Sequence, residues 1–264
     1  MGSRADGPIQ ALRTGHEQLS SFVAQLPAHD LERVSAADEW TVAQVLSHLG
    51  SGAEISLATL EAALAGSGAP DGEFNEKVWA RWDAMSPKEQ AENFARANET
   101  LVRRYEGLDE ATRAELTIDL GFLPEPLDVA AVAALRLGEF TYHTWDIQAA
   151  FDPAAVLAPG AVEHLFQPLG MLIGFLGTTG ELGGRRVSLA VRTERPELSL
   201  GLELGEEVTL TDAPADPDGV LEIPAEAALR LVVGRLAPEH APSGTRLTGG
   251  GVSLDELRRV FPGF

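Results

Sequence analysis

Leu137-Gly138-Glu139-Phe140-Thr141-Tyr142-His143-Thr144-Trp145-Asp146 is the stretch on which the reading of this chain turns. Its apolar residues recur at helical spacing, and Glu139 and His143 stand four positions apart, so on a helix they share one face. An earlier run, Val45-Leu46-Ser47-His48-Leu49-Gly50, has the same character, with one imidazole among apolar neighbours. Carboxylates and imidazoles buried in such surroundings are costly unless something pairs with them. Two imidazoles and one carboxylate are the usual protein ligands of a catalytic zinc with its fourth position open. Spacing alone leaves two readings open. One is a helix-borne metal site inside a bundle. The other is an ordinary Glu-x-x-x-His ion pair, with His48 a separate hydrogen-bonded histidine. Asp146, one turn beyond His143, either orients that imidazole as an acceptor or pairs with an arginine or a backbone amide. His16, His29, His164 and His240 read as ordinary histidines, and Trp40 and Trp145 as core.

Working outward, the same periodicity predicts further helices. Residues 8–26 place Ile9, Leu12, Leu19, Phe22, Val23 and Leu26 on one stripe, and Pro27 ends it. Residues 41–64 follow Trp40, with Thr41, Val45, His48, Gly52 and Ile55 in line; Gly50, Gly52 and Ala53 would let a helix or a ligand approach closely. Residues 66–72 read as a loop and 73–85 as helical. Ser86-Pro87-Lys88-Glu89 is a strong start signal, with Ser as N-cap, Pro at the first position and Glu at the third, for a helix to about residue 106. Residues 121–126 are a loop, and 127–151 form the helix that carries Glu139 and His143.

Beyond residue 151 the character changes. Pro153, Pro159 and Gly160 mark a linker, and 162–176 read as a helix. Short alternating runs at 186–193, 198–203, 207–211 and 220–223, separated by Gly, Pro and Asp, read as strands. Helices over 225–236 and 254–260 close the chain, and Gly249-Gly250-Gly251 is a turn. The expected fold class is α+β: a helical domain over residues 1–153 and a smaller α/β domain over 154–264.

Composition narrows the function. The 264 residues carry a formal net charge of -20, which argues against nucleic acid and anionic membrane surfaces as partners. No apolar run reaches the length of a membrane span, and the first residues show no signal segment, so a cytoplasmic protein is expected. There is no cysteine, hence no disulfide, no thiolate metal ligand and no cysteine nucleophile. Any thiol used in chemistry must come from outside. No Lys-Ser/Thr follows the three glycines, so a phosphate loop is absent, and no Gly-x-Ser-x-Gly elbow is present.

Five segments carry a family resemblance. They are Trp40-Thr-Val-Ala-Gln-Val-Leu-Ser-His48-Leu-Gly-Ser-Gly-Ala-Glu54, Trp79-Ala-Arg-Trp-Asp-Ala-Met-Ser-Pro87, Glu139-Phe-Thr-Tyr-His143-Thr-Trp-Asp146, and a C-terminal pair, the run from Ile223 to Pro238 and the ending from Leu254 to Phe264. Together they resemble the mycothiol-dependent maleylpyruvate isomerase family over nearly the whole chain. The resemblance implies a DinB-like four-helix bundle followed by a sterol-carrier-protein-like α/β domain. It implies that His48, Glu139 and His143 bind a divalent metal, zinc by preference. It also implicates an arginine of the second domain, for which Arg235 in Gly234-Arg235 is the match; the alternative for Arg235 is a structural ion pair. The implied cosubstrate is mycothiol, a small-molecule thiol of actinobacteria. Its thiolate would add to an activated double bond, the resulting single bond would rotate, and elimination would return the trans isomer. Displacement of a leaving group from a small electrophile, an S-transferase reaction, needs the same parts. Two alternatives stand beside this: a metalloenzyme of the same fold that uses another thiol or activates water for hydrolysis, and a non-catalytic binding module. The expected assembly is a monomer or homodimer.

Overall fold

The computed structural model describes residues 3–37 and 39–263. The chain divides into two compact units, Met1–Ala155 and Val156–Phe264.

The first unit is built on four long helices: α1 (Asp6–Val23), α2 (Val42–Leu64), α4 (Pro87–Glu106) and α6 (Val129–Ala149), with the shorter α3 (Gly72–Asp83) and α5 (Glu110–Glu115) between them. In the bundle, α1 packs on α4 and α6, and α2 packs on the same two helices. Local chemistry sets the helix starts. Thr41 caps α2 in a capping box with Gln44, and Ser86 caps α4 in a second one with Glu89. Asp128 caps α6 by accepting from the Ala131 amide at 2.7 Å. The first helix stops at Val23, a few residues before Pro27, because the next segment turns into a short 3₁₀ stretch, Ala28–Glu32. A two-stranded hairpin, β1 (Thr117–Ile118) with β2 (Leu127–Asp128), brackets the expected loop and was not legible from so short a pattern.

Small residues let the bundle close. A Cβ at Gly50 would stand 2.1 Å from the Trp82 ring, so the indole of α3 lies directly on the α2 backbone. Trp82, Phe94, Tyr105, Phe140 and Trp145 are all buried, and Phe94 and Phe140 stack with ring centroids 6.1 Å apart. Each such side chain contributes roughly 1.5–3 kcal/mol by leaving water. His16 sits at the α1–α4 seam, with Nε2 3.2 Å from Glu99, which also pairs with Arg13. Burial lowers the pKa of His16 despite the nearby carboxylate, and its contact with Ser20 agrees with the reading of an ordinary hydrogen-bonded histidine.

The second unit contains α7 (Pro159–Val162), α8 (Phe166–Leu176), strands β3 (Val187–Glu194), β4 (Leu198–Leu204), β5 (Val208–Asp212) and β6 (Gly219–Pro224), then α9 (Ala225–Val232), β7 (Arg246–Gly249) and α10 (Leu254–Val260). The sheet order is β5-β4-β3-β6-β7. All neighbours are antiparallel except β3 and β6, which run parallel from Leu189↔Gly219 to Glu194↔Pro224. Val187, Leu189, Leu221 and Ile223 supply the buried face, against which α9 packs with Ala227, Leu229 and Leu231. The glycine turn at 249–251 ends a fifth strand, β7, that the sequence did not announce. Its residues Arg-Leu-Thr-Gly are mostly exposed and lack a clear apolar alternation. Pairing with β6 therefore decides their conformation. Helix α8 begins at Phe166, later than expected, because the preceding turn α7 and its exit break the run.

Candidate metal centre

Three side chains from two helices of the first unit converge on one point. His48 rides on α2; Glu139 and His143 ride on α6, one turn apart. One ligand atom from each of the three lies within 4.8 Å of the other two, and this is the one such group found among the described residues. His48 Nε2 is 3.2 Å from Glu139 Oε2, and His143 Nε2 is 3.7 Å from the same oxygen. The imidazoles themselves meet edge to face, with centroids 4.6 Å apart.

Asp146 reaches the imidazole, as the first of its two readings expects. Its Oδ2 accepts from His143 Nδ1 at 2.8 Å, and its side chain is fully buried. That bond leaves Nε2 of His143 with its lone pair on the side facing Glu139. Burial pushes the Glu139 carboxyl up, but the His48 hydrogen bond and the charges of His143, His48 and Arg136 pull it further down, to about 2. It is a carboxylate at any ordinary pH, although its side chain is 40% exposed.

Trp40 corrects an expectation. It is not core: it is 39% exposed, and its indole lies beside both imidazoles, 5.3 Å from His48 and stacked at 6.1 Å on His143. Backbone bonds hold it there. Ser35 donates to Trp40 at 2.8 Å, Val34 and Thr41 form a bridge, and Ala36 donates to the Asp146 carbonyl at 2.9 Å. Nothing in the spacing of Trp40 signals this, because the contact forms across the chain. Trp145, by contrast, is buried as expected, and its Nε1 donates to the Ala155 carbonyl at 2.8 Å.

Arg235 belongs to the second unit. Gly234, at φ 73°, follows α9 and lies on the backbone of Gly263, where a Cβ would come within 2.3 Å. The Arg235 side chain is buried, and its Nη1 donates to the Val233 carbonyl at 3.0 Å. None of the metal-ligand candidates comes from this unit. Sequence reasoning passed over Arg136, the one charged residue in the apolar run before Glu139. Its position there was the available signal.

The donor set suits a divalent ion. It offers two imidazole nitrogens and one carboxylate, the combination found at catalytic zinc with one position left for a ligand. No helix of the described residues is long and apolar enough to cross a membrane.

Comparison with known proteins follows the same lines. The family model described as the mycothiol maleylpyruvate isomerase N-terminal domain matches residues 12–148. Among solved structures, the chain is similar to a crystal structure of the mycothiol-dependent maleylpyruvate isomerase, at 15% sequence identity and a TM-score of 0.63, over 96% of this chain and 98% of that one. A histidine-to-alanine mutant of that isomerase aligns equally well, again at 15% identity with a TM-score of 0.63. These likenesses show a shared α+β fold. No curated protein matches the chain in sequence.

Proposed function

The chain belongs to the mycothiol maleylpyruvate isomerase family, and from that premise we propose that it is a metal-dependent enzyme that uses mycothiol to transform a small electrophile. The reaction is a cis–trans isomerisation of the maleylpyruvate type or an S-transfer. The observation that carries this reading is the His48–Glu139–His143 cluster, assembled on two facing helices of a chain that has no cysteine of its own.

In this reading His48, Glu139 and His143 hold the ion, zinc by preference. When bound, it supplies a Lewis acid that lowers the pKa of an incoming thiol. The remaining work falls to the chain. Asp146 holds His143 in the tautomer that offers Nε2. Glu139 remains ionised and contributes one negative charge to the centre. The exposed indole of Trp40 walls one side of the imidazole pair and offers a flat apolar surface to a ligand. Arg235 remains the proposed contribution of the second unit, where a guanidinium suits a carboxylate-bearing substrate.

The test is metal content and thiol dependence together. Purified protein should hold about one divalent ion per chain, the number a three-ligand site takes. His48→Ala, Glu139→Ala and His143→Ala should each lose most of it while helical circular dichroism persists. Turnover of a maleylpyruvate-type substrate should require added mycothiol, saturate with it, and vanish on chelation. Full turnover in thiol-free buffer would refute the proposal.

A further inference from the structure

A second feature of the bundle lies one turn before Glu139. Arg136 is buried, at 7% exposure, and no carboxylate among the described residues lies within salt-bridge distance of it, although Glu139 attracts its charge from farther off. Its Nη2 donates to the Leu49 carbonyl at 2.6 Å and to Asn98 Oδ1 at 2.9 Å. Asn98, itself buried on α4, uses Nδ2 to donate to the same Leu49 carbonyl at 3.2 Å and to Phe94 O at 3.0 Å. The residue whose carbonyl receives both donors directly follows His48. Space for the guanidinium exists only because Gly52 has no side chain, since a Cβ there would stand 2.8 Å from Nη1. A buried guanidinium with no carboxylate in direct contact is expensive to keep. A requirement of packing alone would be met by an apolar residue of similar volume.

We infer that Arg136 is a positioning residue for the metal centre: through the Leu49 carbonyl and Asn98 it locks the His48 turn of α2 against α4 and α6, so that His48 meets Glu139 in one fixed arrangement. Arg136 and Glu139 sit on the same helix, so the clamp ties one ligand's backbone turn to the other ligand's helix. The inference rests on the proposed metal-binding role of the cluster. It concerns geometry, and the charge of Arg136 is separable from it. A lysine keeps the charge, but its ammonium ends one covalent bond short of Nη2 and cannot hold both acceptors.

The experiment compares wild type with Arg136→Lys, Arg136→Met, Asn98→Ala and a control, Val102→Ala. Val102 is buried on α4 but takes no part in the clamp. Cobalt(II) is the probe, with affinity measured by chelator competition and site geometry by the visible ligand-field spectrum. The His48 and His143 ring resonances of the metal-free proteins are read in parallel by NMR. Both Arg136 variants should bind cobalt about tenfold or more weakly, the loss typical when a group that orients a ligand is removed. They should also show an altered band shape and a shifted His48 resonance. Asn98→Ala should show the same changes to a smaller degree, and Val102→Ala none. Cobalt binding and a His48 resonance like wild type in folded Arg136→Lys would overturn the inference, because charge alone would then suffice. If Arg136→Met fails to fold, Arg136→Lys and Asn98→Ala still decide the matter. Should wild type bind no cobalt, the metal reading falls, and the metal-free His48 resonance alone decides the clamp: movement in Arg136→Lys supports it, and none overturns it.

Discussion

Asp146→Asn is the most informative single perturbation of the centre. The carboxylate is fully buried and accepts from His143 Nδ1 at 2.8 Å. Asparagine keeps the shape and an acceptor oxygen but removes the charge. Charge-assisted hydrogen bonds are about twice as strong as neutral ones, and a typical net hydrogen bond is worth about 1 kcal/mol. The imidazole should therefore lose roughly 1–2 kcal/mol of orientation. At 1.4 kcal/mol per tenfold, metal binding should weaken by about 5- to 30-fold. If the amide NH₂ turns toward Nδ1, the ring proton moves to Nε2, and the lone pair facing Glu139 is lost altogether. The loss is then larger. The assay is zinc competition against a chromophoric chelator, with circular dichroism and a metal-free melting curve to show that the bundle is intact. A folded Asp146→Asn protein that binds zinc within about twofold of wild type would refute the reasoning, because the Asp146–His143 bond would then have no bearing on His143 as a ligand.

Further expectations follow from other parts of the structure. Gly50→Ala places a Cβ 2.1 Å from the Trp82 ring; overpacking should cost about 1–3 kcal/mol in urea unfolding, more than the ~1 kcal/mol gained in helix propensity, and an unchanged or raised midpoint would show that Trp82 does not seat there. Arg235→Ala should leave metal content near wild type and lower turnover sharply, and full activity would remove Arg235 from the chemistry. Glu256 is held down to about 2 by Arg185 and by its capping bonds with Ser253. A depressed carboxyl stabilises the fold above its ordinary value of 4.5 and loses that effect as pH falls toward about 2. Protection of the α10 amides, corrected for the intrinsic exchange rate at each pH, should fall across that window in wild type, and in Glu256→Gln it should already be low at neutral pH and change little on acidification.

Much of the helical unit could be read directly. The start signal at Ser86 and the Glu139/His143 spacing are local signals, written within a few residues and obeyed in the structure, while the capping box at Thr41, equally local, was passed over. A helix repeats every 3.6 residues, so two ligands on one helix declare their common face without any knowledge of the rest of the chain. The strands of the second unit were legible for the same reason wherever apolar residues alternate, and β7 was missed where they do not.

What lay beyond the sequence is everything that depends on which helices touch. His48 and Glu139 are 91 residues apart, and only the packing of α2 on α6 brings them to 3.2 Å. Trp40 looked like core by residue type. Tertiary structure left it partly open beside the imidazoles, because the loop before α2 is pinned to the Asp146 backbone. Arg136 drew no reading from the sequence, and only the folded bundle brings Leu49 and Asn98 to its guanidinium from two other helices. The amino-acid order determines periodicity, caps and the chemistry on offer, because those are properties of neighbours along the chain. The meeting of distant side chains is set by how the helices pack, since burial and hydrogen bonding act between residues regardless of their separation in sequence.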